Sequence, residues 1–146
     1  MANAVGHGAV SRGYAVYFNR PGVAVVTWDP TLRAVSVDVQ GWADSIELAA
    51  LMEAGLQALT EHGGSRWLAD GRKLKGVQTL RPGIVEEFVP RALAAGLRRV
   101  ALVIPNEDAM RAVDRLVSVL PAAKADVAYF TTVDEARAWL NSITEP

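Results

Sequence analysis

The stretch RVALVIPNED, residues 99–108, decides which class of fold the chain is expected to have. Its apolar run Val100–Ile104 does not alternate with polar residues, which is typical of a strand that is covered on both faces of a parallel sheet. Asn106 then belongs to the residue types that cap helices, and Glu107 and Asp108 suit a first helical turn. The stretch therefore predicts a buried strand that is followed directly by a helix.

The same order of strand and helix precedes this stretch. Trp67–Ala69 is apolar without alternation and is expected to stop at Asp70 and Gly71. A helix is predicted from about Pro82 to Ala95. Pro90 lies inside it and lacks an amide hydrogen, so the helix is expected to kink or split there.

The pattern also continues toward the C-terminus. Val127–Phe130 predicts the last strand. Thr132 and Glu135 have the spacing of a capping box and so predict the start of a final helix. Successive strand–helix–strand units of this kind form parallel strands with right-handed crossovers.

The first part of the chain predicts an antiparallel meander of three short strands, at residues 14–18, 23–28 and 33–39. Two turn sequences separate them, Arg20-Pro21-Gly22 and Asp29-Pro30-Thr31. In the third strand Val35, Val37 and Val39 alternate with polar residues, so one face is expected to be buried.

After Gly41 the apolar residues recur with a helical period. Asp44 and Glu47 resemble a capping box at the start of this helix. Gly63-Gly64 supplies a left-handed C-terminal cap, and His62 in the last turn suits the negative end of the helix dipole.

The whole order is β-β-β-α-β-α-β-α-β-α, an α/β fold with a mixed sheet. Residues 1–12 are predicted to be a flexible tail, and residues 13–146 a single domain, as expected for a chain of 146 residues.

Composition excludes several classes of function. The chain has no cysteine and a net charge of −1, which argues against disulfides, thiol chemistry and general attraction to nucleic acid or anionic membranes. It has no apolar run long enough to span a membrane and no signal-peptide pattern, so a cytoplasmic protein is expected.

The most distinctive polar stretch follows the strand that is predicted to end at Asp70. Residues 61–100 carry 8 basic and 4 acidic residues within a chain that is nearly neutral. We interpret this stretch as a loop that binds an anion or an acidic partner, or that is simply solvated, with the candidate residues Asp70, Gly71, Arg72, Lys73 and Lys75.

Catalytic motifs are absent from the sequence. There is no glycine-rich nucleotide loop, no nucleophile elbow and no set of metal ligands, so no catalytic residue, metal or cofactor is predicted. Asp70 is either catalytic or, by the simpler interpretation, an acceptor for the backbone amides that follow it.

The aromatic residues suggest a second kind of site. Trp42, Phe88 and Trp139 are candidates for lining a pocket for an apolar ligand, although packing in the core is the simpler explanation of such residues.

Four segments together resemble the SpoIIAA-like branch of the STAS superfamily. They are WDPTLRAVSVDVQGW, RWLADGRKLKG, VPRALAAGLRRVALVIP and AYFTTVDEARAWL, which begin at residues 28, 66, 89 and 128. The resemblance extends over roughly residues 22–143 and implies a fold related to anti-sigma-factor antagonists and comparable with lipid-carrying SEC14 proteins.

One departure from that pattern bears on function. STAS antagonists carry a phosphorylatable serine or threonine just after the strand that here is expected to end at Asp70. No hydroxyl residue lies between Gly71 and Gln78, and Thr79 is the first. The phosphate switch implied by the resemblance is therefore unavailable to this chain.

Two hypotheses follow. The first is a non-catalytic module that binds a protein partner or a second copy of itself. The second is a carrier of a small apolar ligand, like the SEC14 relatives.

Overall fold

The computed structural model describes residues 13–17, 22–43, 45–77, 83–105, 107, 111 and 125–142. Six strands lie within them: β1 (Gly13–Tyr17), β2 (Gly22–Asp29), β3 (Ala34–Ala43), β4 (Arg66–Val77), β5 (Arg99–Val103) and β6 (Asp126–Phe130). The helices bounded there are α1 (Ser45–His62), α2 (Ile84–Ala94) and α3 (Val133–Asn141). No helix in these ranges is long and apolar enough to cross a membrane.

The strands form one mixed sheet in the order of the sequence, β1-β2-β3-β4-β5-β6. The first three strands pair antiparallel, and β3 to β6 pair parallel. The fold class predicted from the sequence, a meander followed by parallel crossovers, is confirmed.

Alternating residues of each strand pack on opposite faces of this sheet. On β3, Val35 and Val37 belong to the larger apolar cluster, which α1 and α2 cover. Ala34, which precedes Val35, belongs to a smaller cluster on the other face, together with Leu140 of α3. Among the described residues, α1 and α2 thus cover one face of the sheet and α3 covers the other.

The ends of the helices follow the predicted capping chemistry. Gly63 has a φ of +67° at the end of α1, and its amide donates to the carbonyl of Leu59 at 2.9 Å. The hydroxyl of Thr132 accepts from the amide of Glu135 at 3.2 Å at the start of α3. The predicted caps Asp44 and Asn106, and most of the helix predicted after Asn106, lie outside the described residues, as does the predicted tail 1–12.

Pro90 does not split α2, contrary to one of the expectations from the sequence. The helix is continuous from Ile84 to Ala94 around it. Pro90 is exposed, and so is Glu86, whose carbonyl loses its helical partner, so water can replace the missing hydrogen bond. Val89 and Ala92 are buried against the core and hold the two halves of the helix in place.

Two strands are longer than predicted. β4 does not stop at Asp70 and Gly71 but continues to Val77, and β3 runs past Val39 and Gly41 to Ala43. The added residues pair with one another, and β4 carries one extra residue at each of two irregularities in the register. Polar composition alone indicated a loop here, whereas pairing with β3 makes this segment a strand.

Candidate functional site

The lengthened ends of β3 and β4 form a stretch that we call the β3–β4 extension (residues 40–43 and 71–77). At its base β2 still pairs with β3 at Gln40 and Gly41, and Leu74 packs against the larger apolar cluster. β4 pairs with β5 only from Arg66 to Asp70, whereas its pairing with β3 continues to Val77. Gly71 lies where β4 and β5 separate, and a Cβ atom on Gly71 would be 3.3 Å from the carbonyl oxygen of Val103. The extension therefore begins at Gly71, in contact with the end of β5.

Asp70 stands at the base of this extension, and Arg72 occupies both of its carboxylate oxygens. Oδ1 accepts the Arg72 amide at 3.1 Å and Nε at 2.9 Å, while Oδ2 accepts Nη2 at 2.8 Å. These hydrogen bonds outweigh the effect of burial and hold the pKa of Asp70 below its ordinary value. The interaction with a following backbone amide matches the simpler interpretation of Asp70, although the amide belongs to a strand rather than a turn.

Further carboxylates surround the Arg72 guanidinium. Asp38 of β3 pairs in register with Asp70, and Asp134 lies in the first turn of α3. The hydrogen bonds that Arg72 donates to Asp70 raise the pKa of Arg72 most, and the charges of Asp38 and Asp134 add to that effect. Arg72 is consequently neutralised by this protein's own acidic groups and is poorly suited to binding an external anion.

The two lysines of the extension differ from Arg72. Lys73 and Lys75 are exposed, and within the described part of the chain the side chain of neither forms a hydrogen bond or an ion pair. Four arginines are instead bound to carboxylates: Arg72 to Asp70, Arg91 to Glu53, Arg99 to Asp126 and Arg137 to Asp29. Within the described ranges, the cations of the predicted loop that have no ion-pair partner are therefore Lys73 and Lys75, and the charge of Lys73 adds to the lowering of the pKa of Asp70.

The residues predicted to line an apolar pocket do not converge. Phe88 of α2 packs edge-on against Trp67, with ring centroids 5.8 Å apart, in the cluster under α1 and α2. Trp139 of α3 packs against Phe130 on the opposite face of the sheet. Trp42 lies in β3, but its side chain is outside the described part of the structure. Phe88 and Trp139 thus cannot line one pocket, because the sheet separates them.

Sequence reasoning missed two close contacts between tryptophans and glycines. A Cβ atom on Gly55 would lie 2.1 Å from the Trp67 ring, and one on Gly64 would lie 2.3 Å from the Trp28 ring. His62, interpreted from the sequence as a helix-end residue, also stacks on Trp28 with centroids 4.6 Å apart. A glycine inside a helix is costly, so Gly55 was the signal in the sequence that a large side chain approaches α1.

The acidic residues do not gather into a metal site in the described ranges. No group of three or more histidine, cysteine, aspartate or glutamate side chains lies close enough together there to hold a metal ion. The site consists of charged side chains at the ends of β3 and β4, with Arg72 held by Asp70.

Comparison with known proteins agrees with this fold. No curated protein matches the chain. A solved structure from Shewanella loihica PV-4, an uncharacterised protein of the DUF3478 family with a SpoIIAA-like fold, superposes with a TM-score of 0.52 at 16% identity. That match covers 82% of this chain and 93% of the Shewanella chain. The family model described as SpoIIAA-like matches residues 23–141, so the chain belongs to the SpoIIAA-like family.

Proposed function

We propose that this protein is a non-catalytic interaction module that binds a protein partner through the β3–β4 extension. The observation that carries the proposal is the geometry of β4, which leaves its partner β5 at Asp70 and projects onward to Val77. Projecting strands present both backbone groups and side chains, which is how sheet proteins commonly bind extended segments.

The state of Asp70 supports a binding role over a catalytic one. A general acid or base needs a carboxylate that can reach a substrate proton, and both oxygens of Asp70 are engaged by Arg72. The hydrogen bonds from Arg72 also lower the pKa of Asp70, so the group is a fixed charge at neutral pH.

A phosphate switch of the STAS type has no acceptor in this stretch. The segment from Gly71 to Gln78 contains no serine or threonine. Recognition through the extension would therefore depend on constant charge and shape, without modification at that position.

Site-specific photo-crosslinking in cells tests the proposal. A photoreactive amino acid replaces Lys75 in one variant and Arg98 in a control, since both positions are exposed and Arg98 lies outside the extension, beyond the end of α2. We expect a discrete crosslinked protein from position 75 only. Identical products from both positions, or none from position 75, would contradict the proposed binding face.

A further inference from the structure

We infer that the outer edge of β4, from Lys73 to Val77, binds an extended acidic segment of the partner, which adds to the sheet as a further strand. This inference rests on the proposed function, because it names how the β3–β4 extension would recognise its partner. It concerns the edge of β4 that faces away from β3.

Beyond Asp70 the backbone of β4 no longer pairs with β5. β5 leaves β4 after the pair Asp70 and Val103, and no strand in the described ranges pairs with the outer edge of β4 beyond that point. The backbone amide of Arg72 donates to the carboxylate of Asp70, so this amide has a side chain and not a neighbouring strand as its acceptor. Amide and carbonyl groups farther along such an edge can pair with an added strand.

The side chains of Lys73 and Lys75 place positive charge on this part of β4. Lys73 and Lys75 are exposed on this edge strand and have no carboxylate partner among the described residues. Lys73 and Lys75 flank Leu74, and Lys75 is the extra residue at the second irregularity of β4, so the two lysines lie within about 7 Å of strand length. Carboxylates on an added strand can reach both lysines across that distance. Arg72 does not compete for those carboxylates, because Asp70 already holds it.

The same lysines argue against a second copy of this chain as the occupant. Pairing two identical edges would bring four lysines together, and like charges on facing strands are destabilising. Lysine is also the residue that sheet proteins commonly place on edges to prevent such self-pairing. An acidic strand reverses that effect, since each lysine then gains a partner of opposite charge.

Binding of a designed peptide tests the inference directly. The probe is a fluorescein-labelled peptide in which glutamate and valine alternate over eight residues, measured by fluorescence anisotropy against the full chain. In one comparison peptide lysine replaces every glutamate. In the other, proline, which cannot donate to a strand ladder, replaces a valine near the middle. We expect binding of the glutamate peptide alone, with slower amide hydrogen exchange at residues 73–77.

Charge-reversal variants make the result specific to this edge. Lys73→Glu with Lys75→Glu should weaken binding of the glutamate peptide by about tenfold or more and create binding of the lysine peptide. Arg98→Glu, an exposed charge reversal outside the extension, should change binding less than twofold, in line with the small effect of distant surface charges. Thermal unfolding monitored by circular dichroism confirms that the variants are folded.

Four outcomes would overturn the inference. The glutamate peptide fails to bind, the proline peptide binds equally well, or the Lys73→Glu, Lys75→Glu variant binds the glutamate peptide as wild type does. The fourth is concentration-dependent exchange protection of residues 73–77 without any peptide, which would indicate self-pairing. The crosslinking experiment remains independent of these results. A crosslink at position 75 together with failure of the peptide would retain the binding face and reject strand addition by an acidic segment.

Discussion

Arg137 of α3 donates from Nη1 to Oδ2 of Asp29, at the end of β2, across 2.7 Å. The other carboxylate oxygen of Asp29 accepts the amide of Leu32 at 2.9 Å, and the Leu32 side chain is fully buried in the cluster beneath α3. One carboxylate therefore fixes the turn between β2 and β3 and ties the last helix to the N-terminal meander.

Removing this carboxylate should cost more stability than removing its arginine partner. Asp29→Ala loses two hydrogen bonds and leaves the Leu32 amide without its acceptor, so we expect a loss of about 2 kcal/mol in the free energy of unfolding. Arg137→Ala loses one of those bonds and should cost about 1 kcal/mol. Urea unfolding at neutral pH measures both changes.

Asp38→Ala is the matched control, because the Asp38 side chain is exposed and makes no hydrogen bond within the described part of the chain. It should change the unfolding free energy by less than about 0.5 kcal/mol. Equal losses for Asp29→Ala and Arg137→Ala would show that the Leu32 hydrogen bond contributes nothing.

Gly55→Ala should destabilise the protein although alanine is the better helix former. The new Cβ atom would lie 2.1 Å from the Trp67 ring, and Trp67 is buried, so the ring must shift. Overpacking of this kind costs about 1–3 kcal/mol, against roughly 1 kcal/mol gained from helix propensity. The difference is measurable as a lower midpoint of urea unfolding.

A double-mutant cycle isolates the contact between Gly55 and Trp67. In a Trp67→Leu background the clash is absent, so Gly55→Ala should become neutral or stabilising. The same loss in both backgrounds would refute the steric explanation.

Sequence predicted those parts of the fold whose signals are local. The alternation of Val35, Val37 and Val39 identified the buried face of β3, and the spacing of Thr132 and Glu135 identified the start of α3. In each case the physical cause lies within a few residues of the chain. Gly63 at the end of α1 belongs to the same class, since a positive φ is a property of one residue.

Long-range pairing explains what the sequence did not predict. Residues 71–77 are polar and contain glycine, and they form a strand because β3 lies beside them. The separation of Phe88 from Trp139 likewise depends on which face of the sheet α2 and α3 cover. The candidate residues lie in the extension for the same reason; their role stays a prediction, while the backbone conformation expected for them, a loop, was wrong.

The capping box of α3 gives a prediction about a single hydroxyl. Thr132→Ala removes the acceptor of the Glu135 amide and should cost about 1 kcal/mol of stability. Thr132→Ser keeps the hydroxyl and should restore most of that loss. Thr131→Ala serves as control, because Thr131 makes only a long 3.4 Å contact to Glu135; a loss equal to that of Thr132→Ala would contradict the assignment of the cap.

The titration of Asp29 predicts how stability depends on pH. Burial alone would raise the pKa of Asp29, but the hydrogen bonds from the Leu32 amide and Arg137 outweigh burial and lower it below the unfolded value of 3.8. A group with a lowered folded pKa contributes its full stabilisation above the unfolded value and loses it as pH falls through the folded value. The free-energy difference between wild type and Asp29→Asn should thus be constant from about pH 7 to 5 and shrink below about pH 4.

Urea unfolding across this pH range measures that difference, and Arg137→Met provides the comparison that assigns its cause. Without the guanidinium, one of the interactions that lower the pKa of Asp29 is missing. Replacing Asp29 by asparagine in that background should therefore change the free energy of unfolding less, and that change should depend less on pH. The carboxyl carbon resonance of Asp29 should also titrate at a higher pH in Arg137→Met than in wild type. A difference that grows as pH falls would mean that the folded pKa of Asp29 is raised, and that burial, rather than its two hydrogen bonds, dominates at the junction of β2 and α3.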